Sequence, residues 1–193
     1  MPARSGRAED VVAASKQSYE LEASLYEPIE KWLRVLANDL ELDQYFIETL
    51  AWQGRRNTGG VWTRPDLVLV STQKFIHYPG TVLEVRTFEV KLARDAVLGV
   101  YETAAHSRMA TRSHLLVYVD DAEEREDLLV RAADECERFG LGFITFTDPD
   151  DHDSFDIRVE PKRLHPDPAE IDEFINIQVS EPNRHRLAKW VRG

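Results

Sequence analysis

Three residues with chemical potential lie in the stretch RPDLVLVSTQKFIHYPGTVLEVRTFEVKL, residues Arg64 to Leu92. Asp66 opens one apolar run, and Glu89 and Lys91 close the next. Side chains alternate faces along a strand, so Glu89 and Lys91 share a face, roughly 6–7 Å apart. If the two runs are neighbours, two carboxylates converge beside one ammonium. Such carboxylates suit a hard, oxygen-seeking cation such as Mg2+, which keeps several waters for itself. An ion of that kind polarises a phosphoryl oxygen and lowers the pKa of a bound water. A neighbouring lysine can position that water and stabilise developing negative charge. Together these groups could hydrolyse a phosphodiester. The competing explanation is a strand-end ion pair in water, which adds little stability. Glu84 and Arg86 offer a rival acid-x-base pair on the opposite face of the run, but without the lysine.

Arg55, Arg56 and Arg64 flank Gly59-Gly60 just ahead of Asp66, where guanidinium groups could hold a substrate phosphate. Trp62 in the same stretch could stack on a base or fill a core. His77 and His152 read as exposed and idle. Cys136, the only cysteine, reads as an inert packed thiol, and a single thiol fits a reducing cytosol. Asp148, Asp150, Asp151 and Asp153 crowd one stretch that lacks the glycine and closing glutamate of a calcium loop, so it reads as a solvated connection. Arg184, Arg186, Lys189 and Arg192 form a basic, amphipathic C-terminal segment suited to packing on the body or on a second subunit.

These residues need elements to hold them. Leu21, Leu25, Ile29, Trp32, Leu33 and Leu36 recur in steps of three and four, which predicts a helix over Ser18–Leu40, with Pro28 marking a kink or a first turn. Strands follow at Tyr45–Leu50, Leu67–Val70 and Thr81–Lys91, the last two joined by the Pro79-Gly80 turn as an antiparallel pair. A helix over Asp95–Arg112, a strand over Ser113–Val119, a helix over Ala122–Phe139 stopped by Gly140, and strands over Leu141–Thr147 and Phe155–Val159 complete the body. Two short helices, Ala169–Ile177 and Glu181–Val191, come after the Pro166-Asp167-Pro168 break. The order implies an α/β fold, a mixed sheet with helices on both faces.

Pro65-Asp66 followed by Glu89-Val90-Lys91 resembles the signature of the PD-(D/E)xK nuclease superfamily. The order helix, three strands, helix, strand over Ser18–Val119 is similar to that family's core. The gap between Asp66 and Glu89 is long, 22 residues (67–88), and the Pro-Gly turn absorbs it. The resemblance implies a restriction-endonuclease-like three-layer sandwich with a mixed central sheet flanked by helices. It implies a metal-dependent nuclease acting on nucleic acid, DNA rather than RNA, in restriction, repair or phage defence. Mg2+, with Mn2+ as a substitute, would sit on Asp66, Glu89, the Val90 carbonyl and a glutamate of the first helix. Glu27 is the closest match for that glutamate and Glu30 a competitor one turn on, although the helix dipole alone also favours a glutamate near a helix start. Lys91 would orient the attacking water. The family's polar residue on the following helix matches His106, with Glu102 one turn away, and a packed histidine is the alternative.

The chain has 193 residues and a net charge of −11, with 42% hydrophobic and 31% charged residues. That balance fits a soluble domain with a real core and argues against a protein that coats nucleic acid nonspecifically. No apolar run reaches membrane-spanning length, and the N-terminal stretch lacks the apolar segment of a secretory signal. The expected organisation is a loose lead-in over 1–17, a nuclease-like core over 18–160 and a helical C-terminal extension over 161–193. So small a chain would act as a homodimer or with a partner subunit. The second functional reading is an inactive accessory module of the same fold that recruits a partner or nucleic acid, and the acidic charge favours it.

Overall fold

The structure, a computed structural model, describes the backbone of residues 6–53, 64–120 and 125–192 and the side chains of residues 21–52, 64–120 and 125–191. Among the described residues the elements run α1 (Gly6–Asp39), β1 (Gln44–Thr49), β2 (Leu67–Lys74), β3 (Thr81–Leu92), α2 (Ala96–His106), β4 (Arg112–Tyr118), α3 (Glu126–Phe139), β5 (Gly142–Phe146), β6 (Asp156–Val159), α4 (Pro168–Gln178) and α5 (Glu181–Arg192).

The six strands form one mixed sheet in sequence order. β1, β2 and β3 are a meander of antiparallel neighbours. β3, β4 and β5 run parallel, joined by crossovers through α2 and α3, and β6 returns antiparallel. Parallel strands need such crossovers because a two-residue turn cannot reverse the path twice.

Register decides which side chains meet which helices. Leu67, Leu69, Phe88, Val90, Leu92, Leu116, Ile144 and Phe146 bury against Leu25, Tyr26, Ile29 and Leu33 of α1. The alternate residues Leu115, Val117 and Phe143 face Val100 of α2 and Leu129 of α3. On that second face, Val68, Val70 and Val85 pack with Phe174, Ile175, Val179 and Leu187 from the C-terminal helices. Each fully buried Leu or Ile contributes roughly 1.5–3 kcal/mol, so the three clusters dominate the fold energetics.

Several boundaries differ from the sequence expectation for physical reasons. α1 starts at Gly6 rather than Ser18, so residues 6–17 continue the helix instead of forming a loose lead-in. That segment holds three alanines, Ala8, Ala13 and Ala14, and no proline to interrupt a helix already nucleated downstream. α1 also runs through Pro28. An interior proline ordinarily costs ~3 kcal/mol, and the burial of Leu25, Tyr26 and Ile29 around it offsets that. α2 ends at His106, not Arg112. Thr111 has already joined the sheet: its N–H donates to the Val85 carbonyl at 2.8 Å, and its Oγ1 accepts from Val85 N at 2.9 Å. α3 stops at Gly140, whose φ of 73° suits the left-handed cap.

The C-terminal helices are integral to the body. Glu48 on β1 accepts from Ser180 N, Ser180 Oγ and Asn183 Nδ2 at 3.0, 3.0 and 2.8 Å, which caps the start of α5. No described helix is long and apolar enough to cross a membrane.

Candidate active site

Asp66 sits one step before the Leu67↔Phe88 pair, at the mouth of the β2–β3 ladder. Its backbone is fixed on both sides. Asp66 N donates to the Phe88 carbonyl at 3.1 Å, and the Asp66 carbonyl accepts from Leu50 N at 2.7 Å and Ala51 N at 3.2 Å. The carboxylate is held as firmly. Oδ1 accepts from the Tyr26 hydroxyl at 2.8 Å, and Oδ2 accepts from Val90 N at 2.9 Å. Val90 is the residue between Glu89 and Lys91, so the aspartate and the acid-x-lysine pair occupy one corner of the sheet.

Glu89 and Lys91 point to the α2 face, in line with Leu115 and Val117 on β4. Lys91 Nζ lies 2.6 Å from Glu89 Oε1 and 2.8 Å from Glu102 Oε2 on α2. α2 can approach this closely because of Gly99. A Cβ there would fall 2.7 Å from both Lys91 Cγ and Leu115 Cδ1. His106, one turn beyond Glu102 and fully buried, places Nε2 3.9 Å from Glu89 Oε2.

The electrostatics are those of a crowded acidic corner. Burial pushes the Glu89 carboxyl well above its ordinary range, and the negative charge of Asp66 adds to this against the opposing pull of Lys91. Burial also raises Asp66, partly countered by the Val90 N–H and by Lys91. Burial disfavours the Lys91 ammonium, but Glu89 and Glu102 outweigh it and raise its pKa. Glu102 is likewise penalised by burial, yet its contacts with Glu89 and Lys91 hold it below the usual value. The two touching carboxyls are thus shifted in opposite directions, Glu89 up by burial and Glu102 down by its contacts. With both ionised, no donor among the described residues reaches Glu89 Oε2, a buried oxygen.

Two contributors escaped the sequence reading. Tyr26 is the donor that clamps Asp66. Glu22, one helical turn before it, is raised by burial, feels the charges of Lys91 and Asp66, and accepts from the Leu92 N–H. The signal was available: Glu22 and Tyr26 continue the buried Leu25-Ile29-Leu33 stripe at helical spacing. Glu27 is not brought here. Its side chain is 82% exposed and pairs with Lys31 on the outer face of α1. Glu30 pairs with Arg34 on the same helix. A helix advances 100° per residue, so Glu27 turns away from the face that carries Glu22 and Tyr26.

The basic candidates divide. Arg55 and Arg56, with Trp62, lie outside the described residues. The Arg64 guanidinium donates through Nε to Gln178 Oε1 at 2.6 Å and through Nη1 to the Leu50 carbonyl at 3.3 Å, tying β1 to α4. The rival pair Glu84 and Arg86 joins Arg112 in a separate network at the other end of β3, with contacts of 2.9 and 2.6 Å to Glu84. Cys136 is buried among apolar neighbours, which pushes its thiol up to about 12. Asp148 and Asp151 accept from the backbone of Asp150 and Asp153, as turn residues do.

The donor set can be tested for a cation. It is all oxygen, it is acidic, and it includes a buried carboxylate oxygen with no donor of its own. Among the described residues no three Asp, Glu, His or Cys side chains gather as a ready-made metal cage. An acidic, all-oxygen donor set of this kind suits a hard cation such as magnesium. Comparison with protein-family models, with curated proteins and with solved structures gives no significant match.

Proposed function

We propose that this chain is a metal-dependent nuclease of the restriction-endonuclease-like, PD-(D/E)xK kind, hydrolysing phosphodiester bonds in DNA. One observation carries the reading: Asp66 Oδ2 accepts from the backbone N–H of Val90, 2.9 Å away, which draws the aspartate to the Glu89-Val90-Lys91 strand end. A helix, an antiparallel three-strand meander and a parallel αβ unit around that corner support the fold assignment.

Asp66 and Glu89 would hold Mg2+ or Mn2+, with the Val90 carbonyl and Glu22 at hand; Glu22 takes the part that Glu27 was expected to play. Once bound, the ion supplies a Lewis acid for a phosphoryl oxygen and an acidified water. Lys91 orients the attacking water and balances the negative charge that develops at phosphorus. Glu102 holds the ammonium in place from the α2 side, and buried His106 backs Glu89. Tyr26 fixes the Asp66 carboxylate.

The test is cleavage of single- and double-stranded DNA and RNA with Mg2+ or Mn2+, wild type against Lys91→Ala. The variant is expected to lose ~100-fold or more in kcat, the scale of removing a charge-stabilising donor. Equal cleavage by both proteins removes the mechanism.

The accessory-module reading keeps one observation of its own: the Lys91 ammonium is engaged by two carboxylates, in a chain of net charge −11. It predicts no Mg2+-dependent rise in Tm that Asp66→Ala abolishes.

A further inference from the structure

The indole of Trp52 is 59% exposed, although three apolar clusters were available to take it. It belongs to the one-turn helix Ala51–Gln53 at the end of β1. That turn is rigidly held. Leu50 N and Ala51 N both donate to the Asp66 carbonyl, and Arg64 grips the Leu50 carbonyl from the other side. The Trp52 ring meets the Tyr26 ring edge-on, with centroids 5.4 Å apart and planes at 80°. The hydroxyl of that same Tyr26 is bonded to Asp66 Oδ1. A single tyrosine ring thus separates an open aromatic surface from the carboxylate corner.

We propose that Trp52 is a stacking platform for a nucleobase of the strand being cut, and that the preferred substrate is single-stranded. The inference rests on the nuclease reading above and names its substrate class. Duplex bases already stack on one another, so a flat aromatic beside the reacting phosphate gains most from an unpaired base. The platform is anchored through the Asp66 backbone, so a base stacked on it sits in fixed relation to the carboxylates. Stacking is also indifferent to charge, which suits a corner as acidic as this one.

The probe is a 12-nucleotide single-stranded DNA and the duplex made from it, offered to wild type, Trp52→Phe and Trp52→Ala. Binding is read with Ca2+ in place of Mg2+ by tryptophan fluorescence and by anisotropy of a labelled strand; cleavage is read with Mg2+. Wild type is expected to bind the single strand more tightly than the duplex. Trp52→Ala should weaken single-strand binding roughly 5- to 100-fold and raise KM accordingly, with kcat within about threefold and duplex binding unchanged. Trp52→Phe should keep most of the affinity while losing the fluorescence quench. The platform is overturned if Trp52→Ala binds the single strand as wild type does, or if it loses both substrates and kcat together, the pattern of a merely structural cover over Tyr26. If wild type cleaves nothing while the quench persists and vanishes in Trp52→Phe, the platform stands and the hydrolytic reading falls.

Discussion

Tyr26 on α1 donates its hydroxyl to Asp66 Oδ1 across 2.8 Å, joining the long N-terminal helix to the first residue of the acidic corner. Burial and the Asp66 charge raise the Tyr26 pKa, so the phenol remains a donor at every physiological pH. Residues that orient a metal-binding carboxylate matter through the ligand they hold.

Tyr26→Phe is therefore expected to lower divalent-metal affinity by 10- to 100-fold, the usual range for such partners, while the aromatic packing survives. Calorimetric titration with Mn2+ reads this directly. High Mg2+ should restore most of the kcat, because the defect lies in affinity and not in the reacting groups.

Glu22 and Glu27 separate two accounts of what α1 supplies. Glu22→Gln removes a raised, half-buried carboxyl that senses Lys91 and Asp66. It should reduce cleavage and metal affinity. Glu27→Ala removes one half of an exposed pair with Lys31 and should change both by less than twofold, with a stability change of at most ~0.5 kcal/mol. The reverse ranking, measured by single-turnover cleavage, would contradict the placement of Glu22.

The close approach of α2 depends on Gly99. Gly99→Ala puts a methyl 2.7 Å from Lys91 Cγ and Leu115 Cδ1. The overpacking should cost about 1–3 kcal/mol, a fall of roughly 2–12 °C in Tm for a chain of this size. Activity should fall more than stability explains, because the displaced side chain is Lys91.

Stability should peak between two limbs of pH. His114, stacked on Phe88 and buried, is lowered from 6.5 to about 3. A depressed histidine contributes stability that is whole above 6.5 and lost as pH falls towards 3. The second limb has the opposite sign. Glu89 is raised, so its contribution is whole below its unfolded value of 4.5 and lost as pH rises through the elevated folded value. Glu89→Gln, which fixes the neutral form, should raise the Tm above wild type at pH 8 in EDTA, by ~2–4 °C for each kcal/mol recovered. Thermal unfolding from pH 3 to 9 measures both limbs.

Much of this arrangement was legible in the sequence because period and spacing are local. The alternation Glu89-Val90-Lys91 gave the shared face, and Pro79-Gly80 gave the antiparallel β2–β3 pairing. The helix limits were harder. The end of α2 is set by Thr111 bonding to Val85 from 26 residues away, a tertiary contact with no local signature. Glu27 drew attention by its place in the chain, whereas helical phase decides what faces the sheet and favours Glu22 and Tyr26. Arg64 read as a substrate-phosphate contact beside glycines, whereas its hydrogen-bond partner Gln178 lies 114 residues on. The role of Gly99 has no local signature either, because it lies in the closeness of the Lys91 and Leu115 side chains.

The central claim is that Asp66 and Glu89 share one divalent ion. Crystals soaked in MnCl2 and measured at the manganese edge test it most directly. The account predicts an anomalous peak within coordination distance of both carboxylates, absent in Asp66→Asn. Full diffraction with Asp66 and Glu89 in place and no peak between them would contradict it.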